Sequence, residues 1–215
     1  MNKFFSPREV VTKFADGQTI MIGGFANTGV PDELIDLVVK SGVKHLAIIA
    51  NDTGNTGAGV GKLVTSRQAD NFTCSHVGMN PAVGQLMAAG NLMVELIPQG
   101  SLVEKIRCGG AGLGGVLVQT GLGTSYEWGK EKITVNGKSY ILEQPLYADI
   151  ALVKAWKTDL FGNLAYRGTA RNLNPLVATA AKLVIVEAEE IVPVGAIDPN
   201  EVVTPGVFVN MILER

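Results

Sequence analysis

Cysteine and histidine are scarce in this chain of 215 residues: two of each, Cys74 and Cys108, His45 and His76. No CxxC pair and no metal-type Cys/His spacing occurs, which argues against a metal site and against a disulfide framework. Two isolated cysteines suit a reducing compartment and read as small core hydrophobes. Each histidine abuts an apolar run and lacks a partner at catalytic spacing, so both read as structural. No apolar run approaches the ~20 residues that a membrane-crossing helix needs. The opening MNKFFSPREVV breaks at Pro7 after two apolar residues and shows no secretory core. Together these features lead to the expectation of a cytoplasmic protein with no membrane contact. An excess of one charge is also lacking: 18 Lys and Arg against 20 Asp and Glu leave −2, without a block of like charge. Nucleic acid is therefore disfavoured as a partner. An anionic ligand would have to be held by local donors, because the global field does not attract it.

Glycine, by contrast, is abundant at 26 residues, and hydrophobic residues make up 47%. That mixture suits a buried parallel sheet with tight loops. A chain of this length buries roughly 70% of its unfolded surface as one domain, here taken as 1–215. Ser6-Pro7-Arg8-Glu9 predicts a helix opened by a capping box. Thr19–Ile22 reads as a strand, 31–40 as a helix stopped at Gly42, and 45–51 as a strand. Strands follow at 72–77 and 93–98, around a helix at 81–89. Ser101 to Glu104 reads as a second capping box, opening a short helix through Arg107. Two alternating runs around Asn136-Gly137 predict a β-hairpin over 132–142. Strands at 148–153 and 183–186 flank a helix at 175–182. The expected fold is α/β: a mostly parallel open sheet, helices on both faces, plus the hairpin.

Two glycine clusters invite nucleotide readings, and both fail on context. In Gly57-Ala58-Gly59-Val60-Gly61-Lys62, Thr56 stands where a phosphate loop has its first glycine, and Leu63 where it has Ser or Thr. Gly110-x-Gly112-x-x-Gly115 has dinucleotide spacing, but a helix precedes it where a strand is required. Glu187, Glu189 and Glu190 read as a solvated strand edge, and Glu104 as a capping residue.

The most informative stretch is DGQTIMIGGFANTGVP, residues 16–31. A turn, a short apolar strand, a glycine loop and a proline-led helix start with Asp32 and Glu33 succeed one another. Backbone N–H groups then converge near a helix N-terminus, a place for an anion or a developing oxyanion. This string resembles the first signature of the family I coenzyme A transferases. Ile49 to Thr53, Pro98-Gln99-Gly100-Ser101-Leu102, Ile106 to Gly112 and Thr204-Pro205-Gly206 are similar to α-subunit blocks of that family, in the family's order.

The resemblance implies the CoA-transferase (isomerase-like) fold and coenzyme A as a substrate, with no permanently bound cofactor and no metal. It implies that Gly23, Gly24, Phe25, Ala26, Asn27, Thr28 and Gly29 bind CoA. Gln99, with Gly100, Gly109 and Gly110, would face the reacting thioester and its oxyanion. The family's nucleophilic glutamate lies in a Ser-Glu-Asn-Gly string that this chain lacks, so no catalytic nucleophile is expected here. A homologous β subunit would carry it, in a heterotetramer of two α and two β subunits. The substrates would be short-chain acyl-CoA (acetyl- or butyryl-CoA) and acids such as acetoacetate. Two alternatives share the broad fold, a sugar-phosphate isomerase and a non-enzymatic ligand-sensing domain. The lone histidines weaken the first; the second would need a DNA-reading segment, and about fifteen residues precede the first strand.

Overall fold

The computed structural model describes residues 3–214. Strands and helices alternate: β1 (Phe4–Phe5), α1 (Pro7–Val11), β2 (Thr19–Ile22), α2 (Asp32–Ser41), β3 (Leu46–Ile49), α3 (Gly61–Thr65), β4 (Ala69–Cys74), α4 (Pro81–Ala88), β5 (Met93–Leu96) and α5 (Gln99–Gly110). Then come β6 (Val116–Val118), β7 (Lys132–Val135), β8 (Lys138–Glu143), β9 (Ala148–Asp159), β10 (Leu164–Ala165), α6 (Asn174–Val177), β11 (Ala181–Val192) and β12 (Met211–Leu213).

The main sheet runs β1-β12-β11-β9-β2-β3-β4-β5, with every neighbouring pair parallel and β10 antiparallel on β9. Alternate side chains of the central strands enter two separate cores. Ile20, Ile22 and Leu152 meet Val10, Leu34, Val38 and Leu63 of α1 to α3 on one face. Met21, Ala151 and Val153 meet Leu102, Ile106 and Val177 of α5 and α6 on the other. Burial on both faces explains why these strands are continuous apolar runs. The predicted hairpin forms, with Asn136 at φ 51° and Gly137 at φ 73°. It belongs to a separate three-stranded antiparallel sheet, β6-β8-β7. Buried Glu143 ties that sheet to α5, accepting from Lys105 at 3.0 Å and Lys130 at 2.8 Å. Burial pushes the Glu143 carboxyl up, and the lysine hydrogen bonds outweigh it, so the net shift is downward.

Local signals held where their partners are local. Ser6 and Glu9 form the capping box, and Gly42 ends α2 in the left-handed region at φ 71°. Several boundaries moved for tertiary reasons. α5 starts at Gln99, and no capping box forms at Ser101: its hydroxyl donates to the Thr120 carbonyl, while Glu104 pairs with Arg107. β4 begins at Ala69, three residues before the expected Phe72. α6 ends at Val177, because Ala181 and Lys182 already belong to β11. β1, β6, β10, β12 and α3 carried too few residues to announce themselves. α3 begins at Gly61, the last glycine of the 57–61 cluster, and the ammonium of its Lys62 pairs with Asp32 and Asp36 of α2.

Glu187 corrects the reading of a solvated edge, since it is 2% exposed. Strand alternation turns it toward α2, where its Oε2 accepts the N–H groups of Glu33 (2.8 Å) and Leu34 (3.2 Å). Its Oε1 accepts from Lys154 Nζ at 2.8 Å. Pro31 offers α2 no side-chain cap, and Glu187 supplies one from across the sheet. Glu189 and Glu190 are exposed, as expected. Glu187→Ala would strand the Lys154 charge and uncap α2. Denaturant unfolding should show a loss of roughly 3–5 kcal/mol; a loss below ~1 kcal/mol would contradict this account.

Candidate active site

β2 and β9 are neighbours, yet the chain leaves β2 toward β3 on one side and β9 toward β11 on the other. Such a divergence opens a crevice over the C-terminal ends of the strands, the place where parallel α/β sheets receive ligands. The loop 23–29 fills it. Phe25 and Thr28 exchange backbone hydrogen bonds at 3.0 Å each way, and Ala26 between them is held at φ 52°. A left-handed alanine costs on the order of 1 kcal/mol. The Asp52 carboxylate holds it there, accepting the Ala26 N–H at 2.7 Å.

Two asparagines buttress the loop from the segment after β10. Asn172 accepts the Gly24 N–H (3.1 Å) and donates to the Thr28 carbonyl (2.9 Å). Asn174 donates to the Gly29 carbonyl at 2.9 Å and accepts the Lys154 N–H at 2.9 Å. Sequence reasoning missed both; the only signal was the Asn-Leu-Asn-Pro run ahead of α6. The three glycines are there for closeness. A Cβ on Gly23 would lie 1.9 Å from Asn174 Oδ1, and one on Gly29 2.3 Å from the Ala170 carbonyl oxygen.

The simple picture of a helix N-terminus waiting for an anion needs correction. Glu187 already occupies the α2 amides, and Asp52, Asn172, Thr28 and Phe25 occupy most loop N–H groups. The loop is a preorganised wall. Phe25, Ala26 and Thr28 line an open cleft of about 650 Å³ whose far side carries Thr169 and Arg171. Phe25 is 48% exposed there. Gly23 and Gly24 are buried behind that surface, Asn27 is exposed, and Gly29 abuts Ala170.

Gln99 opens α5 just beyond β5, exposed, with Nε2 donating to Asn51 Oδ1 at 3.0 Å. Asn51 Nδ2 donates in turn to Asp52 Oδ2 at 2.8 Å. One hydrogen-bonded chain thus connects Gln99 to the loop. Gly100 adjoins it, with no room for a Cβ beside Thr120 Oγ1. Gly109 and Gly110 are not brought to this spot. They end α5, about 16 Å away by helical rise. There they pack against Leu146 and Thr179, and the helix presents carbonyls, the wrong polarity for an oxyanion.

His45 and Cys74 take no part here, the one by distance and the other by burial. His45 sits at the N-terminal end of β3, opposite the crevice, hydrogen-bonded to Asp70, which raises its pKa. Burial pushes the Cys74 thiol up to about 11. Among the described residues no group of three His, Cys, Asp or Glu is placed to hold a metal ion, and no helix is long and apolar enough to cross a membrane.

Fold and crevice place the chain among α/β proteins whose ligands sit over the C-terminal ends of a parallel sheet. It belongs to the coenzyme A transferase family, whose pattern matches residues 6–215. The chain is 51% identical over 202 residues to the acetoacetyl-CoA:acetate/butyrate CoA transferase alpha subunit of Clostridium acetobutylicum, covering 94% of this chain and 93% of that one. It is 45% identical over 211 residues to the acetate CoA-transferase subunit alpha of Escherichia coli, covering 98% and 96%. Among solved structures, glutaconate coenzyme A-transferase from Acidaminococcus fermentans superposes with TM-score 0.83 at 19% identity, over 98% of this chain and 75% of that one. An Escherichia coli acyl-CoA transferase, solved as a thioester complex with CoA, gives 0.86 at 18% identity. All of this chain, but only 47% of that longer one, is matched. At those identities the likeness is one of fold.

Proposed function

We propose that this chain is the α subunit of an enzyme moving CoA between a short-chain acyl-CoA (acetyl- or butyryl-CoA) and acetoacetate or another short-chain acid. A homologous β subunit carries the glutamate, in a cytoplasmic heterotetramer of two α and two β subunits. The partner's glutamate attacks the acyl-CoA carbonyl, forming an acyl-glutamyl anhydride and releasing CoA thiolate. The thiolate attacks the glutamyl carbonyl, giving the glutamyl-CoA thioester and freeing the first acid. The acceptor's carboxylate then opens that thioester, and the returning thiolate makes the new acyl-CoA.

The observation that carries this reading is the chain from Gln99 through Asn51 and Asp52 to the Ala26 amide. It sets an uncharged amide donor beside a rigid loop at the open end of the sheet, as an oxyanion-forming acyl transfer requires. CoA lies against residues 23–29, and the cleft between Phe25 and Arg171 has the size for a ligand far larger than a short acid. The acid nearest Gln99 in this network is Asp52, which is 4% exposed and already accepts three N–H groups. Asp52 is therefore no nucleophile, in keeping with a nucleophile supplied by the partner.

Gln99→Ala in the assembled enzyme should lower kcat by ~10², the usual scale for one lost oxyanion donor, while assembly is unchanged. Turnover within twofold of the parent would remove Gln99 from the reaction.

A further inference from the structure

The orientation of every amide in this network follows from one charge. The Asp52 carboxylate can only accept, and it takes the Ala26 N–H at 2.7 Å, the Gly54 N–H at 2.9 Å and Asn51 Nδ2 at 2.8 Å. With its nitrogen committed to Asp52, Asn51 must turn its oxygen the other way. There Oδ1 accepts from Gln99 Nε2 at 3.0 Å, and the Ser75 hydroxyl approaches at 3.4 Å. The Ser75 hydroxyl also donates to the Asn51 carbonyl at 2.8 Å, fixing the backbone from which the amide projects. Gln99 is thereby held nitrogen-inward, with one N–H spent on Asn51 and the other left over. The reverse arrangement would set Asn51 Oδ1 against an Asp52 oxygen, acceptor on acceptor, where both residues are 4% exposed.

We propose that Asp52 and Asn51 are positioning residues for the transfer reaction. The buried Asp52 charge fixes which end of the Gln99 amide meets the substrate, and through Ala26 it also fixes the loop 23–29. A single carboxylate thus aligns two parts of the site, the loop after β2 and the start of α5. Gln99 is exposed and would otherwise sample both amide orientations, half of them presenting oxygen to an oxyanion. The inference rests on Gln99 acting as the donor.

A double-mutant cycle in the assembled enzyme tests it. Gln99→Ala should lower kcat by ~10². Asn51→Ala should lower it roughly tenfold with KM unchanged, the scale of one lost hydrogen bond. Both together should be no slower than Gln99→Ala alone, because Asn51 acts only through Gln99. Effects that multiply to about 10³ would overturn the proposal, since a merely structural Asn51 costs the same in either background. A single Gln99→Ala variant with parental kcat would overturn the reading of Gln99 itself, and that arm is scored separately.

Asn51 is buried, so a second variant covers a failure to fold. In Gln99→Glu the introduced carboxylate faces Asn51 Oδ1, which Asp52 prevents from turning. Its pKa is then raised, and that contribution to stability is lost as pH rises. The melting temperature of the variant complex, relative to the parent, should fall across roughly pH 4 to 6. Asp52, Cys74, His76, Glu95 and Glu104, the titratable groups on the surrounding elements, are common to both proteins, so their own titration cancels in the difference and only their coupling to the introduced carboxylate remains. If Asn51 turns freely, the carboxylate gains a donor and the difference rises with pH. A rise, or no trend, would overturn the proposal.

Discussion

Gly24→Val should abolish turnover by the assembled enzyme. Gly24 stands at φ +120°, a conformation closed to β-branched residues, and a Cβ there would lie 2.6 Å from Val30 Cγ2 and 3.3 Å from its Cα. Val30 is 5% exposed in the core above β2 and cannot withdraw. The backbone must therefore rotate, which breaks the Gly24 N–H bond to Asn172 Oδ1. Asn172 is itself strained at φ 23° and also holds Thr28, so the disturbance passes directly into the cleft wall. Gly57→Ala is the matched control. Gly57 has φ +73° with nothing within 4 Å of an added Cβ, so it feels backbone strain alone, about 1–2 kcal/mol. Steady-state turnover checked alongside assembly and melting decides the matter. A Gly24→Val enzyme that turns over as well as the Gly57→Ala one would show that the loop takes no part in the reaction.

The parts that were legible in the sequence are those whose partners lie within a few residues. Ser6 meets Glu9 three residues on, Gly42 closes its own helix, and Asn136-Gly137 makes its own turn. Thr19–Ile22 was readable because a strand buried on both faces must be continuously apolar. Glu187 was misread because its partners, Lys154 and the α2 amides, are 33 and about 150 residues away. An acid in a strand ending Glu-Ala-Glu-Glu looks the same whether it caps a helix or faces water. The expected helix ended at Arg107, yet α5 continues through Gly109 and Gly110, and only glycine fits there beside Leu146 and Thr179. The site divides in the same way. Gln99 could be placed at the end of a strand from local pattern. Asn172 and Asn174 could not be found, because their roles exist only once β9 and β2 lie side by side.

The final expectation concerns where the covalent intermediate forms. Incubating the assembled complex with acyl-CoA and then borohydride should reduce one glutamyl thioester, and peptide mapping should place that mark on the partner subunit. Four glutamates of this chain already have other partners. Glu187 caps α2 and pairs with Lys154; Glu143 lies between Lys105 and Lys130; Glu104 pairs with Arg107; Glu9 closes the α1 capping box. A nucleophile must reach the carbonyl carbon with a free lone pair and leave again, which the buried carboxylates of Glu143 and Glu187 cannot do without first losing their donors. This chain alone should therefore be neither marked nor able to turn over substrate, and activity should return only on mixing with the partner. Initial rates in the complex should follow ping-pong kinetics, because the first acid departs before the second arrives. A mark on Glu104, Glu187 or any other glutamate of this chain would place the nucleophile here, and Gln99 and the loop 23–29 would then have to serve a different step.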